Sequence, residues 1–178
     1  MPWLFLPENR ADDNSFPPMP HTDPAFSAVL ALPPCRFGIQ EKDGFAEALY
    51  FLPPEYPLQA PTSLLAEDFS NQLKTYLDKP TTVFDVPLHP QGTQFQQRVW
   101  AAISAIPSGK VRRYKEIAVE LGSVPRAVGQ ACGANPFPLV IPCHRVVSTH
   151  NLGGFANHSD GWLIETKRWL LWHEGFLI

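Results

Sequence analysis

Leu139–Val147 reads LVIPCHRVV, and no other stretch limits the fold of this chain as strongly. An apolar, partly β-branched run marks a buried segment, most simply a strand. Pro142, Cys143, His144 and Arg145 interrupt it. Polar groups carried into an apolar interior must find partners, because an unpaired one costs stability. Whatever packs over this segment therefore has to supply hydrogen bonds and charge.

A thiol beside an imidazole is also the raw material of an activated nucleophile. Only a few per cent of an ordinary thiol is thiolate at neutral pH, so an efficient one needs a base, and the base needs an orienting group. Neighbours in a regular strand point to opposite faces. His144 can serve Cys143 only if the chain turns, for which Pro142 is suitably placed, or through a water. Glu174 and Glu165, on the last predicted helix, are candidates for the orienting carboxylate. From these residues alone, a small buried cysteine beside a satisfied core histidine is the preferred reading.

Charge is unevenly spread. Residues 1–97 hold 12 acidic and 5 basic side chains, whereas residues 98–145 hold 2 and 7. The overall charge of −3 hides a basic segment beside the Cys-His-Arg stretch, and a local patch sets phosphate affinity. Hydrophobic content of 44% with 17% charged residues fits a globular chain. The opening residues lack the basic start of a signal peptide, and no run is long enough to span a membrane. Three cysteines make no disulfide framework and lack zinc-finger spacing. The expected compartment is the cytoplasm, or the nucleus of a eukaryotic cell. No cofactor is expected; Cys35 and His89 could contribute to a metal site in the first domain, but two residues are too few to argue one.

Taken in order, residues 1–24 read as a proline-rich arm. Strands are expected over Phe26–Leu32, Arg36–Gln40 and Phe45–Leu52, with Lys42-Asp43-Gly44 as a hairpin turn. Ser63 should cap a helix from Leu64 to Leu77, and Val83–Val86 should be a short strand. Residues 25–90 thus form a small mixed α/β domain, and Pro87–Gly92 a linker. In the second domain, residues 91–178, Thr93 should cap a helix over Gln94–Ile106. Tyr114–Leu121 and Arg126–Cys132 follow as a helix-turn-helix. Gly153-Gly154 reads as a flexible loop, and a last helix runs from Trp162 to Glu174. The fold class is α/β (α+β): a small N-terminal domain, then a mostly helical one with a helix-turn-helix and a short active-site strand.

Ile141-Pro142-Cys143-His144-Arg145-Val146-Val147 resembles the active-site signature of the O6-alkylguanine-DNA alkyltransferases, the methylated-DNA–protein-cysteine methyltransferases. Gly92-Thr93-Gln94-Phe95 with Val99-Trp100, Ile106–Val111 with Tyr114, Arg126-Ala127-Val128-Gly129, Asn135-Pro136 and Lys167–Leu171 with Glu174-Gly175 resemble its other motifs in the same order. The resemblance implies DNA repair by direct reversal. Cys143 would take an alkyl group irreversibly from O6 of guanine, with O4-alkylthymine as a second target, so each molecule acts once. His144 would deprotonate Cys143 through a water and Glu174 would orient His144. Asn135 would brace the turn, and Tyr114 would donate to N3 of the leaving base.

The resemblance also implies a flipped-out base, with Arg126 filling the gap and the small residues Ala127 and Gly129 letting the recognition helix enter the minor groove. Arg113 and Lys115 would add DNA contacts. Pro138, Val146, Phe155 and Arg145 would line the substrate pocket. Double-stranded DNA is the implied partner, with no membrane, and the protein is expected to be a monomer. The sequence departs from the family in three places. The connection from Tyr114 to Arg126 is short, Phe155 stands where tyrosine is usual, and Ala156–Trp162 is longer and lacks a Gly-Gly pair. A binder of alkylated DNA that transfers nothing is the alternative, and a helix-turn-helix regulator a third. A pure binder has no use for Cys143, His144 and Glu174 together. A regulator reads major-groove edges with polar side chains that Ala127, Gly129 and Ala131 lack.

Overall fold

The structure, a computed structural model, describes residues 26–176. The proline-rich arm expected over residues 1–24 lies outside them. Ala28–Leu32 (β1), Cys35–Lys42 (β2) and Phe45–Leu52 (β3) form an antiparallel sheet in the order β1-β2-β3. Asp43 and Gly44 turn the β2–β3 hairpin, both with positive φ. One face of the sheet is buried by Leu64–Asp78 (α1), capped by the Ser63 hydroxyl accepting from the Ala66 N–H at 3.0 Å. Phe69, on the buried face of α1, stacks between Phe37 and Phe84, with ring centroids 5.6 and 5.4 Å away.

Residues 83–86 are not a strand. Their backbone is satisfied by a side chain instead: Gln72 of α1 accepts from the Asp85 N–H and donates to the Asp85 carbonyl, both at 2.8 Å. The edge of β3 is taken by the following residues. Ala46 donates to the Pro87 carbonyl, and the His89 N–H donates to the Ala46 carbonyl.

Gln94–Ser104 (α2) opens with a capping box between Thr93 and Gln96. Tyr114–Glu120 (α3) and Pro125–Gly133 (α4) form the helix pair, with Pro125 at the first turn of α4, where its missing N–H costs nothing. Gly161–His173 (α5) closes the fold. Trp100 of α2 donates to the Ala131 carbonyl of α4 at 2.8 Å, tying the helix pair to the core. The two halves of the chain share one hydrophobic core, running from β2 and α1 through α2 to α5. Backbone crosses between them as well: Leu49 of β3 donates to the Pro136 carbonyl.

Arg112–Arg113 (β4) and Val146–Val147 (β5) make a two-residue parallel ladder. That pairing sets Tyr114, the first residue of α3, beside the Cys-His-Arg segment. The segment itself is not a strand. The Cys143 N–H donates to the Ile141 carbonyl across Pro142 (φ −79°, ψ 66°), an inverse γ-turn, and a single 3₁₀ turn over Cys143–Arg145 follows. Proline has no N–H for a ladder, so the run bends where a strand was expected.

Phe69 is fully buried between two rings, so Phe69→Ala should lower the unfolding free energy by about 3–5 kcal/mol in urea denaturation; a loss under about 1 kcal/mol would contradict this packing.

Candidate functional site around Cys143

A 3₁₀ turn has three residues per turn, so successive side chains splay in three directions. Cys143 faces a cavity of about 670 Å³. His144 and Arg145 both reach Glu174, just past the end of α5. His144 Nε2 lies 2.8 Å from Glu174 Oε1. Arg145 grips the carboxylate with two N–H groups, Nε to Oε2 and Nη2 to Oε1, both at 2.9 Å, and its Nη1 donates to the Ile106 carbonyl at 2.6 Å. Tyr76, from α1, donates its hydroxyl to Oε1 at 2.9 Å. The Glu174 side chain is inaccessible to solvent.

Burial opposes ionisation of Glu174, but hydrogen bonds from His144 and Arg145, with the Arg145 charge, outweigh it and hold the carboxyl far below its usual range. An ionised carboxylate only accepts, so His144 Nε2 must carry the proton. Nδ1 is then a bare lone pair, and this buried atom has no hydrogen-bond partner. Burial lowers the His144 pKa; Glu174 raises it, while Arg145 and Lys167 lower it further. The imidazole is therefore neutral at pH 7, with Nδ1 available as a base.

Burial also pushes the Cys143 thiol up, opposed by the Asn135 amide, the Lys167 ammonium and nearby backbone N–H groups. It rests as a thiol whose proton must be withdrawn. Asn135 folds its own segment: its Oδ1 accepts from Phe137 N–H at 3.0 Å and its Nδ2 donates to the Ile141 carbonyl at 2.8 Å. It thereby ties the end of α4 to the first residue of the γ-turn.

Tyr114 forms one cavity wall and points its hydroxyl to the Gly154 carbonyl at 3.3 Å. Burial raises its pKa, so it stays a neutral hydroxyl. Gly153 and Gly154 are pinned rather than flexible. Gly153 takes φ +70°, and a Cβ there would stand 2.9 Å from the Tyr114 ring. The Gly154 carbonyl also accepts from Lys167 Nζ at 2.9 Å.

Lys167 is the residue that reasoning from the sequence passed over. It is completely buried, donates to the Val146 carbonyl at 2.7 Å, and lies 5.9 Å from the Tyr114 and Phe155 ring centres. Burial lowers its pKa to about 8. A lysine inside an otherwise apolar helix face was the available signal. Cys132 is a second thiol on the cavity wall, pushed up to about 12 by burial.

Arg126, Gly129 and Lys115 edge the cavity, and Phe155 lies in its wall, packed 5.1 Å from Phe51 of β3. Ala127 is half-buried on α4, and Arg113 is exposed beside a neighbouring cleft. Three expected pocket residues lie elsewhere. Arg145 points away from the cavity to Glu174, because the turn rotates it there. Pro138 and Val146 are buried and do not line the cavity. Glu165 pairs with Arg168 on the surface, leaving Glu174 as the carboxylate of His144. The long loop after Phe155 docks on α4: Asn157 donates to the Gly133 carbonyl at 3.1 Å, and a Cβ at Gly133 would sit 1.9 Å from its Oδ1. Among the described residues no cluster could hold a metal ion, and no helix is long and apolar enough to cross a membrane.

Glu174→Gln should cost about 3–5 kcal/mol at pH 7, by removing the buried charge that holds the half-buried Arg145 guanidinium. Because the Glu174 pKa is depressed on folding, its contribution is full above the ordinary value of 4.5 and is lost as pH falls below it. Urea denaturation at pH 7 and pH 4 should find the variant less sensitive to acid than the parent.

Residues 94–176 match the family model of the 6-O-methylguanine DNA methyltransferase DNA-binding domain. The methylated-DNA–protein-cysteine methyltransferase of Salmonella typhimurium is 46% identical over 89 residues, covering 49% of this chain and 50% of that protein. The chain thus spans about half the length of that relative. The namesake from Methanosarcina acetivorans is 41% identical over 108 residues, covering 60% and 67%. The crystal structure of a Mycobacterium tuberculosis O6-methylguanine methyltransferase superposes with a TM-score of 0.68 at 33% identity, covering 82% of this chain and 90% of that one. With that breadth the likeness reaches well beyond the DNA-binding domain, and the chain belongs to the O6-methylguanine-DNA methyltransferase family.

Proposed function

We propose that the protein repairs DNA by transferring an alkyl group from O6 of guanine to Cys143. The observation that carries this reading is a cavity-facing thiol next in the chain to a buried imidazole, whose Nε2 is held by a carboxylate and whose Nδ1 is bare. That arrangement withdraws a proton on demand and needs no resting thiolate. Sγ attacks the alkyl carbon, the carbon–O6 bond breaks, and its electron pair stays with the base. The thiol proton goes to His144 Nδ1, through a water where the two do not touch. Tyr114 donates a hydrogen bond to N3 as charge develops on the base, and the proton taken from the thiol is returned from His144 through solvent, so guanine leaves neutral and both side chains end as they began. The thioether does not revert, so one molecule performs one transfer.

Duplex DNA is the partner this reading requires. The base must leave the stack to reach a cavity behind a helix pair, and Arg126 stands at the cavity edge, where a side chain could fill the gap. Ala127 and Gly129 give α4 a smooth face for the minor groove. A relative from Mycobacterium tuberculosis has been solved in complex with DNA, at a TM-score of 0.69 and 34% identity, which supports the same docking here. The thiols stay free in a reducing compartment, which suits a protein spent by one alkylation.

Incubation with duplex DNA carrying O6-[³H]methylguanine should move label to protein, and Cys143→Ala should abolish it; tight binding with no label transferred would sink the proposal. Arg126→Ala should slow repair in duplex DNA at least tenfold while leaving reaction with free O6-benzylguanine within about twofold, a split that a purely structural loss would not give.

A further inference from the structure

We propose that Tyr76, carried on α1 in the first half of the chain, is a positioning residue for the cysteine chemistry: its hydroxyl takes a share of Glu174 Oε1 and thereby sets the proton affinity of His144. The inference rests on the alkyl-transfer reading for its consequence, but the interaction itself can be tested without it.

Three donors converge on one oxygen. Tyr76 Oη at 2.9 Å, His144 Nε2 at 2.8 Å and Arg145 Nη2 at 2.9 Å all meet Glu174 Oε1, while Oε2 has Arg145 Nε. A carboxylate oxygen offers about two lone pairs, so three donors compete for its charge. Arg145 is fixed by its second grip on Oε2 and by the Ile106 carbonyl. The exchange is therefore between Tyr76 and His144. What the phenol draws from Oε1 is lost to the imidazole, and an imidazole with a weaker carboxylate partner holds an added proton less tightly.

Tyr76 is built to stay there. Its ring is almost fully buried, tilted against Phe84 and edge-on to His173, with centroids 5.4 and 5.2 Å away. His173 Nε2 lies 3.1 Å from the Tyr76 carbonyl, and since a carbonyl only accepts, that nitrogen donates. The stack of His173 on Trp169, 4.7 Å between centroids, fixes its ring in turn. Burial and the Glu174 charge both raise the Tyr76 pKa, so the hydroxyl keeps its proton and remains a donor. The charged and titratable groups facing the His144–Glu174 pair are Tyr76 from α1, Arg145 and Cys143 from the turn, and Lys167 from α5; none but Tyr76 changes when its hydroxyl is removed.

The consequence has a definite sign. Transfer needs neutral His144, so the rate falls on the acid side as His144 becomes protonated. Without the phenol, Glu174 Oε1 turns more basic towards His144, the imidazolium is stabilised, and the acid limb moves to higher pH. The test is the single-turnover transfer rate against pH for the full chain, with O6-methylguanine duplex DNA. It is paired with the proton resonance of His144 Nε2–H in ¹⁵N-histidine protein. Tyr76→Phe should move the acid limb up by about half a pH unit or more, a roughly threefold loss on that limb, with the plateau retained, and should shift the Nε2–H resonance downfield.

3-Fluorotyrosine at position 76 keeps ring and hydroxyl but is a stronger donor. It should move both readouts the other way, and it keeps the test alive if Tyr76→Phe does not fold. A profile that only scales down, with the resonance unmoved in both variants, would overturn the proposal and leave Tyr76 a packing residue. Wild-type protein that transfers no label would overturn the alkyl-transfer reading instead, while the resonance would still decide the coupling.

Discussion

A carboxylate without solvent access is the constraint on which this structure turns. Glu174 is ionised inside the protein, where an isolated charge would cost several kcal/mol. Four hydrogen bonds compensate it: two from Arg145, one from His144 and one from Tyr76. Those donors come from two places in the chain and the carboxylate from a third, so the charge can be held only when the turn, α1 and the end of α5 are all assembled. The γ-turn at Pro142 follows from the same need. A straight strand would put His144 and Arg145 on opposite faces, and the two could not meet one carboxylate.

The same geometry divides the labour at Cys143. The 3₁₀ turn directs the thiol into the cavity and its two neighbours to the carboxylate behind it. Glu174 fixes the tautomer of His144, which leaves Nδ1 unpaired, and burial keeps the ring neutral. Lys167 holds two carbonyls beneath the cavity and brings positive charge near the thiol without pairing with it. The β4–β5 ladder and the pinned Gly153-Gly154 segment then set Tyr114 as the opposite wall. The site is a product of the shared core, because α1 supplies both part of that core and one of the donors.

Much of the helical part was legible, since caps and periodicity are local: Ser63 and Thr93 cap where expected, and the bounds of α1 to α5 differ from expectation by only a residue or two. The three main strands were legible for the same reason. Val83–Val86 was not, because Gln72 satisfies that backbone from a helix turn that sequence pattern does not relate to it. Arg145 was expected in the pocket on the resemblance alone, and the turn after Pro142 carries it to Glu174 instead. Tyr76 read as one more apolar residue on the face of α1. Its hydroxyl acquires a use only when a residue 98 positions away arrives beside it.

By itself, the sequence determined the local elements and the basic segment beside the Cys-His-Arg run, and narrowed the carboxylate partner of His144 to Glu174 or Glu165. These depend on residue type, period and order. Tertiary structure alone decided which atom of His144 is free, where Arg145 points, that Lys167 lies under the cavity, and that the first half of the chain reaches Glu174. The reason is physical. Hydrogen bonds to a buried carboxylate are set by distances of about 3 Å between groups far apart in the chain, and no periodicity encodes such distances.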